Sequence, residues 1–495
     1  MNGQADTNHS LWKGLEYKIE FQSSVSDGKT PLWLNANKQG LSSIENTNGY
    51  LRAGLGRDLE NDKNKTWGVG YGLDVVLPYH YTSNWIVQQA FAEVRWKKGT
   101  LTAGSKEYPM ELKNNRLSSG SQTLGINARP VPQVRLALPE YWTMPFANGW
   151  LHLKGHIAYG KTTDGNWQED FTQKKTKYGE DILYHTKAGY LKIGKEDGKH
   201  PLSVELGLEM ASQFGGTVHR IESGEMKTYK NATGLQAYWD AFMPGGSDAN
   251  ESLYQNVAGN QLGSWLMRIN YDTEKWKLGV YADHFFEDHS AMFMLEYDGY
   301  GHGDEWNVKK DKRYLLYDLK DIMLGAELNL KQGTWLKNIV LEYIYTKYQS
   351  GPIFHDHSHN LSDHIGGRDD YYNHALFCGW QHWGQVMGNP LYLSPLYNGN
   401  GEIRIADNRF FAWHLGIGGQ PASNLRYRFL ATFQKGFGTY FNPFTKPHHN
   451  VSFLLEADYK LRNNWSVKGG CGTDTGGIMG HNYGIQLSII KTGSL

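Results

Sequence analysis

Three polar side chains close together, Asn127, Arg129 and Gln133, carry the first chemical signal of this sequence. Amides both donate and accept hydrogen bonds, and a guanidinium presents a planar fork that matches a carboxylate such as that of a uronic acid. Tyr141 and Trp142 follow within ten residues, so the set would line a sugar-binding surface. A competing structural reading has Arg129 pairing with inward-facing glutamates and pinning its segment in place. Tyr371, Tyr372, Trp380 and Trp383 form a second group of aromatics among polar residues. Such rings stack on sugar faces, and they equally suit packing in a membrane girdle or a lumen.

Other chemistry finds less support. His355, His357, His359, His364, His374 and His382 are concentrated in one stretch. Imidazole suits Zn, Cu or Ni, and on a strand the first three would share a face. There is no His-Glu-x-x-His and no spaced cysteine pair, so the stretch is read as a solvated loop without a metal. Asp363, Asp369 and Asp370 supply oxygens but lack the spacing of a calcium loop. There is no Gly-x-Ser-x-Gly elbow, phosphate-binding glycine loop or dinucleotide fingerprint. Ser118, Ser119 and Ser121 have no marked base nearby. No catalytic residue and no cofactor are expected. Cys378 and Cys471 are read as unpaired structural thiols. Lys+Arg and Asp+Glu are both 50, and zero net charge argues against electrostatic capture of nucleic acid.

The elements that must position these residues are strands. Leu117 to Gln133 is polar and broken by Pro130 and Pro132, which neither a helix interior nor a central strand tolerates. It lies between runs that alternate apolar and polar residues. Leu15, Tyr17, Ile19 and Phe21 alternate with Glu16, Lys18, Glu20 and Gln22. Leu202, Val204, Leu206, Leu208 and Met210 alternate with Ser203, Glu205, Gly207 and Glu209, and the final run is Tyr483, Ile485, Leu487 and Ile489. Short turns fall at 97–100, 195–200, 272–275, 331–335 and 461–464. Long irregular stretches fall at 104–149, 215–261, 346–373 and 384–408.

No run of eighteen apolar residues exists, so no membrane helix is expected, but a membrane strand shows only alternate residues to lipid. The 31 Tyr and 17 Trp suit aromatic girdles. No shared repeat of propeller length is present. The expected fold is all-β, a transmembrane antiparallel β-barrel of about 18 strands whose lumen is narrowed by inward-folded loops. One domain is expected over 1–495, with an irregular lumen or mouth segment at 104–149 and a long loop region at 346–408. The first residues, Met1 to Ala5, carry no signal peptide and are read as the start of a mature chain. If the facing assignment holds, Leu206→Arg impairs assembly and Glu205→Arg does not.

Three stretches resemble the capsule-assembly outer-membrane protein family, Wzi. They are Leu117 to Val134, Asp370 to Pro390, and the set Asp407 to Arg409, His414 to Gly418 and Gly438 to Tyr440. The resemblance implies an 18-stranded barrel in the outer membrane of a Gram-negative cell. It implies a lectin, rather than an enzyme, that anchors or helps assemble capsular or other surface polysaccharide. Its partners would be that polysaccharide, the surrounding lipid and lipopolysaccharide, and other outer-membrane proteins. The chain departs from the family pattern at Gln385, where a more basic residue is expected. Two alternatives are a substrate-selective porin and an accessory barrel of a larger complex.

Overall fold

The computed structural model describes residues 12–243, 259–287, 294–296, 299–300, 303–305, 308–310, 313–315, 319–355 and 364–495. Eighteen strands make one sheet. The first six are β1 (Leu15–Asp27), β2 (Thr47–Arg57), β3 (Trp67–Tyr79), β4 (Ile86–Trp96), β5 (Gly99–Ser105) and β6 (Gln133–Thr143). The middle six are β7 (Leu151–Lys161), β8 (Leu183–Ile193), β9 (Leu202–Phe214), β10 (Asn260–Asp272), β11 (Trp276–Glu287) and β12 (Ile322–Leu330). The last six are β13 (Asn338–Tyr345), β14 (Phe410–Ala422), β15 (Leu425–Gly438), β16 (Pro443–Lys460), β17 (Trp465–Gly476) and β18 (Gly480–Ser494). Each pairs antiparallel with its chain neighbours, and β18 returns to β1 through pairs from Glu16–Ser494 to Asp27–Tyr483. The sheet is therefore a closed barrel without edges, the arrangement that lets strands cross a bilayer with every backbone group paired.

Alternation sorts the two faces. On β1, Ile19, Phe21 and Val25 are exposed on the outside while Glu20, Gln22 and Ser24 are buried inside. This is the reverse of a soluble sandwich, and it is stable only where lipid meets the outer face. Trp67, Trp96, Phe146, Trp150, Trp335 and Trp465 lie exposed near the short turns, forming a girdle at that end. No helix among the described residues is long and apolar enough to cross a membrane.

The expected irregular stretch at 104–149 is too long. Residues 133–143 form β6, a strand of the wall, and the irregular part is 106–132. Pro139 hides this strand in the sequence. It sits where the β6–β7 register shifts between Leu138 and Trp142, the kind of irregularity at which a sheet accepts proline. The region 215–261 also carries more structure than expected, with a hairpin of Thr217–Glu222 and Glu225–Lys230 and a helix, Leu235–Phe242.

The lumen is filled. Residues 28–46, 106–132 and 370–409 fold inward and pack as a plug. Trp33, Tyr371, Tyr372, Trp380, Tyr392 and Ile405 are fully buried in one apolar cluster that reaches wall residues Tyr184, Leu262, Val340, Leu430 and Leu454. Inward carboxylates fasten the 106–132 segment. Glu342 accepts hydrogen bonds from Ser118 Oγ at 2.5 Å and Ser119 N at 2.8 Å. Lys113 Nζ meets Asp283 at 2.6 Å with both side chains buried. Close approach needs glycine: a Cβ on Gly388 would collide with Tyr372 Oη and the Gln122 carbonyl.

Candidate functional site

The sequence-selected residues separate into four places, one of them the lumenal face of β6, where Gln133 borders a cavity. Asn127 is buried inside the plug, where its Nδ2 donates to the Val386 carbonyl at 3.1 Å and its Oδ1 accepts from Asn37 N at 3.1 Å. It joins three plug segments. Tyr371, Tyr372 and Trp380 are fully buried as well. Trp380 Nε1 donates to the Thr123 carbonyl at 3.0 Å, and Tyr372 stacks on Tyr392 at 4.0 Å between ring centres. These three rings hold the plug together.

Trp142 is at the other end of the molecule. It lies near the end of β6 beside the short turn, and nine residues of strand from Gln133 span about 30 Å. It is half-exposed among the girdle residues Phe146 and Trp150. Of the histidine-rich stretch, His357, His359 and Asp363 lie outside the described residues. His374 is half-buried, and its imidazole is pushed down to about 3 by its desolvating surroundings and by the neighbouring Lys177.

Arg129 and Trp383 do come together, at the end carrying the long connections. Trp383 and Gly384 are the central residues of a tight hairpin that pairs Gln381–His382 with Gln385–Val386. Both have positive φ, 56° and 77°. Two such residues make the turn whose twist matches a hairpin. Glycine adopts that conformation freely, whereas a tryptophan there is strained, and strain of this kind concentrates at functional positions. The Arg129 guanidinium lies 4.4 Å from the Trp383 ring. Its Nη1 donates to Ser83 Oγ at 2.8 Å and its Nη2 to Thr82 Oγ1 at 2.7 Å. The expected glutamate partner is absent among the described residues, where hydroxyls and an indole hold the guanidinium instead. Burial, opposed in part by Tyr81 and Asp164, pushes its pKa down to about 10, so it stays charged at neutral pH. Its Nε is buried without an acceptor.

His382 fixes the hairpin to the segment below. The Thr163 N–H donates to its Nε2 at 3.1 Å, so the ring proton sits on Nδ1 and donates to the Arg129 carbonyl at 2.9 Å. Burial lowers its pKa, which keeps the ring neutral and this tautomer in place. Asp164 Oδ2 accepts from Gln381 Nε2 at 3.1 Å and Trp383 N at 3.0 Å. On the far side, Gly40 has φ 72° and its α-carbon abuts the Arg129 backbone so closely that no side chain fits.

Asp407 anchors the end of the plug and gives a pH test. Its Oδ1 accepts from Gly438 N at 2.9 Å and Phe437 N at 3.2 Å, while Oδ2 is buried without a partner. Burial outweighs those two bonds and pushes the carboxyl up to about 7 from an ordinary 3.8. The folded state therefore holds the proton more tightly than the unfolded chain. Its contribution is fully present below pH 3.8 and is lost as pH rises through about 7. Asp407→Asn removes this loss. The variant is expected to melt several degrees higher than wild type at pH 8, by less at pH 5, and close to wild type below pH 3.8, and equal shifts at all three would show that ionisation is not the cause.

No family model matches the sequence. No curated protein matches it either. Solved structures do resemble the fold. The chain superposes on Wzi of Escherichia coli, described as an outer-membrane protein involved in group 1 capsule assembly and a carbohydrate-binding β-barrel. The TM-score is 0.59 at 13% identity, over 97% of this chain and 85% of that one. OccK5 (OpdH) of Pseudomonas aeruginosa gives a TM-score of 0.45 at 8% identity, covering 97% of each chain. OprD of Pseudomonas aeruginosa gives 0.44 at 12% identity, covering 97% of this chain and 95% of that one. With the lipid-facing belt, the Wzi likeness identifies the fold as that of an outer-membrane β-barrel.

Proposed function

We propose that this protein binds a carboxylate-bearing surface polysaccharide at the long-loop end of the barrel and anchors it at the cell surface, with no bond made or broken. One observation carries the reading. Arg129 is a buried cation at the mouth, oriented by two hydroxyls and an indole, with no carboxylate bonded to it among the described residues. A guanidinium so prepared gains most from an incoming carboxylate, and the Trp383 ring beside it offers a face for a sugar. Wzi of Escherichia coli, whose fold this chain resembles, is involved in group 1 capsule assembly and binds carbohydrate, which supports the choice of ligand class. The filled lumen speaks for binding over conduction, since the apolar plug packs from β8 across to β16. Lipopolysaccharide would surround the outer face, and other outer-membrane proteins remain candidate neighbours.

The test is binding of the detergent-purified protein to polysaccharide from its own source strain, against neutral and unrelated polymers. Arg129→Ala and Trp383→Ala are each expected to weaken binding about tenfold or more, equivalent to roughly 1.4 kcal/mol. Equal binding of a neutral polymer, or no effect of either substitution, would reject this reading.

A further inference from the structure

A second cation lies deeper, and its position follows from strand alternation. On β6, Val134 and Leu136 are exposed to lipid, so Gln133 and Arg135 face the lumen. There they border a cavity of about 340 Å³ between the underside of the plug and the wall, a volume within the range of small-molecule sites. The Arg135 guanidinium stacks on the Tyr108 ring at 4.0 Å. Its Nε and the Oε1 of Gln133 are both buried without a hydrogen bond.

The carboxylates around this cavity are satisfied, and Arg129, which also borders it, is held through its two Nη atoms by Ser83 and Thr82. Glu93 pairs with Lys106 at 2.6 Å and Glu107 with Arg52 at 3.1 Å. Glu111 pairs with Lys154, and Glu209 accepts from Tyr190 at 2.7 Å. Arg135 has neither an ion pair nor a hydrogen bond from its side chain among the described residues. A buried polar group without a partner is costly, and a guanidinium held against an aromatic face keeps its outer edge available. His156 and Thr186, bonded to each other at 3.3 Å, also line the cavity and add neutral hydrogen-bonding capacity.

We propose that this lumenal cavity is a separate binding site for a small carboxylate-bearing sugar or similar organic acid, held by the Arg135 fork and oriented by Gln133. The cavity reaches from Arg135 on the wall to Arg129 on the plug but does not include Trp383, and the proposal requires the Arg135 fork whether or not the mouth binds a polymer. The carboxylate supplies the two acceptors that the guanidinium lacks, and the sugar hydroxyls supply a donor for Gln133 Oε1.

Calorimetry on the full chain in detergent, with sodium glucuronate as probe and glucose as the neutral control, tests this. Glucuronate is expected to bind one to one and glucose not to bind. Arg135→Gln is expected to weaken glucuronate binding at least tenfold, and Gln133→Leu about threefold. Heat-modifiable gel migration reports whether each variant has assembled. If Arg135→Gln fails to assemble, Arg135→Lys keeps the charge without the fork and is expected to bind severalfold more weakly than wild type. Absence of glucuronate binding, equal binding of glucose, or wild-type affinity in the Arg135 variants would overturn the proposal. Binding lost in Trp383→Ala but retained in Arg135→Gln would place the acid at the mouth and overturn it equally.

Discussion

Leu206→Arg is expected to block barrel assembly, while Glu205→Gln inserts and folds. Leu206 points outward from β9, flanked across the sheet by Met267 and Leu191, so an arginine there must sit in hydrocarbon. Near mid-bilayer this costs about 2–4 kcal/mol. Glu205 points inward, where it accepts from Tyr141 Oη and Asn270 Nδ2, each at 2.7 Å. Glutamine keeps one acceptor for Asn270 Nδ2, and its Nε2 can donate to the Tyr141 hydroxyl, which accepts as well as donates. Glu205→Arg is a less clean comparison, because its cross-strand neighbours are Arg268 and Lys192. Three cations in a row cost up to about 1 kcal/mol per pair, which remains below the cost on the lipid face. Heat-modifiable migration and protease resistance of membrane fractions measure the outcome. Equal assembly of Leu206→Arg and Glu205→Gln would contradict the assigned faces.

Trp380→Ala is expected to loosen the plug and raise ion conductance. The ring is fully buried, stacks on Tyr184 at 5.7 Å and donates to the Thr123 carbonyl. Truncating such a tryptophan costs about 3–5 kcal/mol. Leaving the carbonyl unpaired adds about 1–3 kcal/mol unless water reaches it. The wall keeps its own backbone ladder, so the damage falls on the 106–132 and 370–409 segments. Planar-bilayer recordings are expected to show little current through wild type and larger, noisy currents through the variant, with a lower melting temperature. A freely conducting wild type would instead favour transport and remove the support that the filled lumen gives to binding.

Much of the wall was legible because lipid imposes a period of two on one face. β9 shows it from Leu202 to Met210, and β1 shows it as clearly. β17 shows it poorly, since Gly469, Gly470 and Gly472 give no side chain to read on either face. β6 was concealed by Pro139. The site was harder to read. Arg129 and Trp383 were recognisable from residue type, but type does not distinguish a carboxylate partner from the hydroxyls of Thr82 and Ser83. Tyr371, Tyr372 and Trp380 read as ligand-facing aromatics because burial inside a plug depends on contacts distant in sequence. Trp142 seemed close to Gln133, yet an intervening strand carries it across the whole membrane. Arg135 is inconspicuous in the sequence because one inward arginine in an alternating run resembles any other wall residue.

The loop after β1 bears on whether this barrel can part sideways. Residues 28–35 cross the closing seam from inside: Leu32 N donates to Asp474 on β17 at 3.0 Å, and Lys29 N to Asn482 on β18 at 2.8 Å. The seam is thus zipped along its full length by β1 and β18 and also clasped behind. The weakest joint is elsewhere. β5 and β6 pair only from Thr100–Ala137 to Gly104–Gln133, where the chain leaves the wall to enter the plug. Any lateral parting of the wall would begin at that short joint beside the Arg135 cavity, and the closing seam would stay shut.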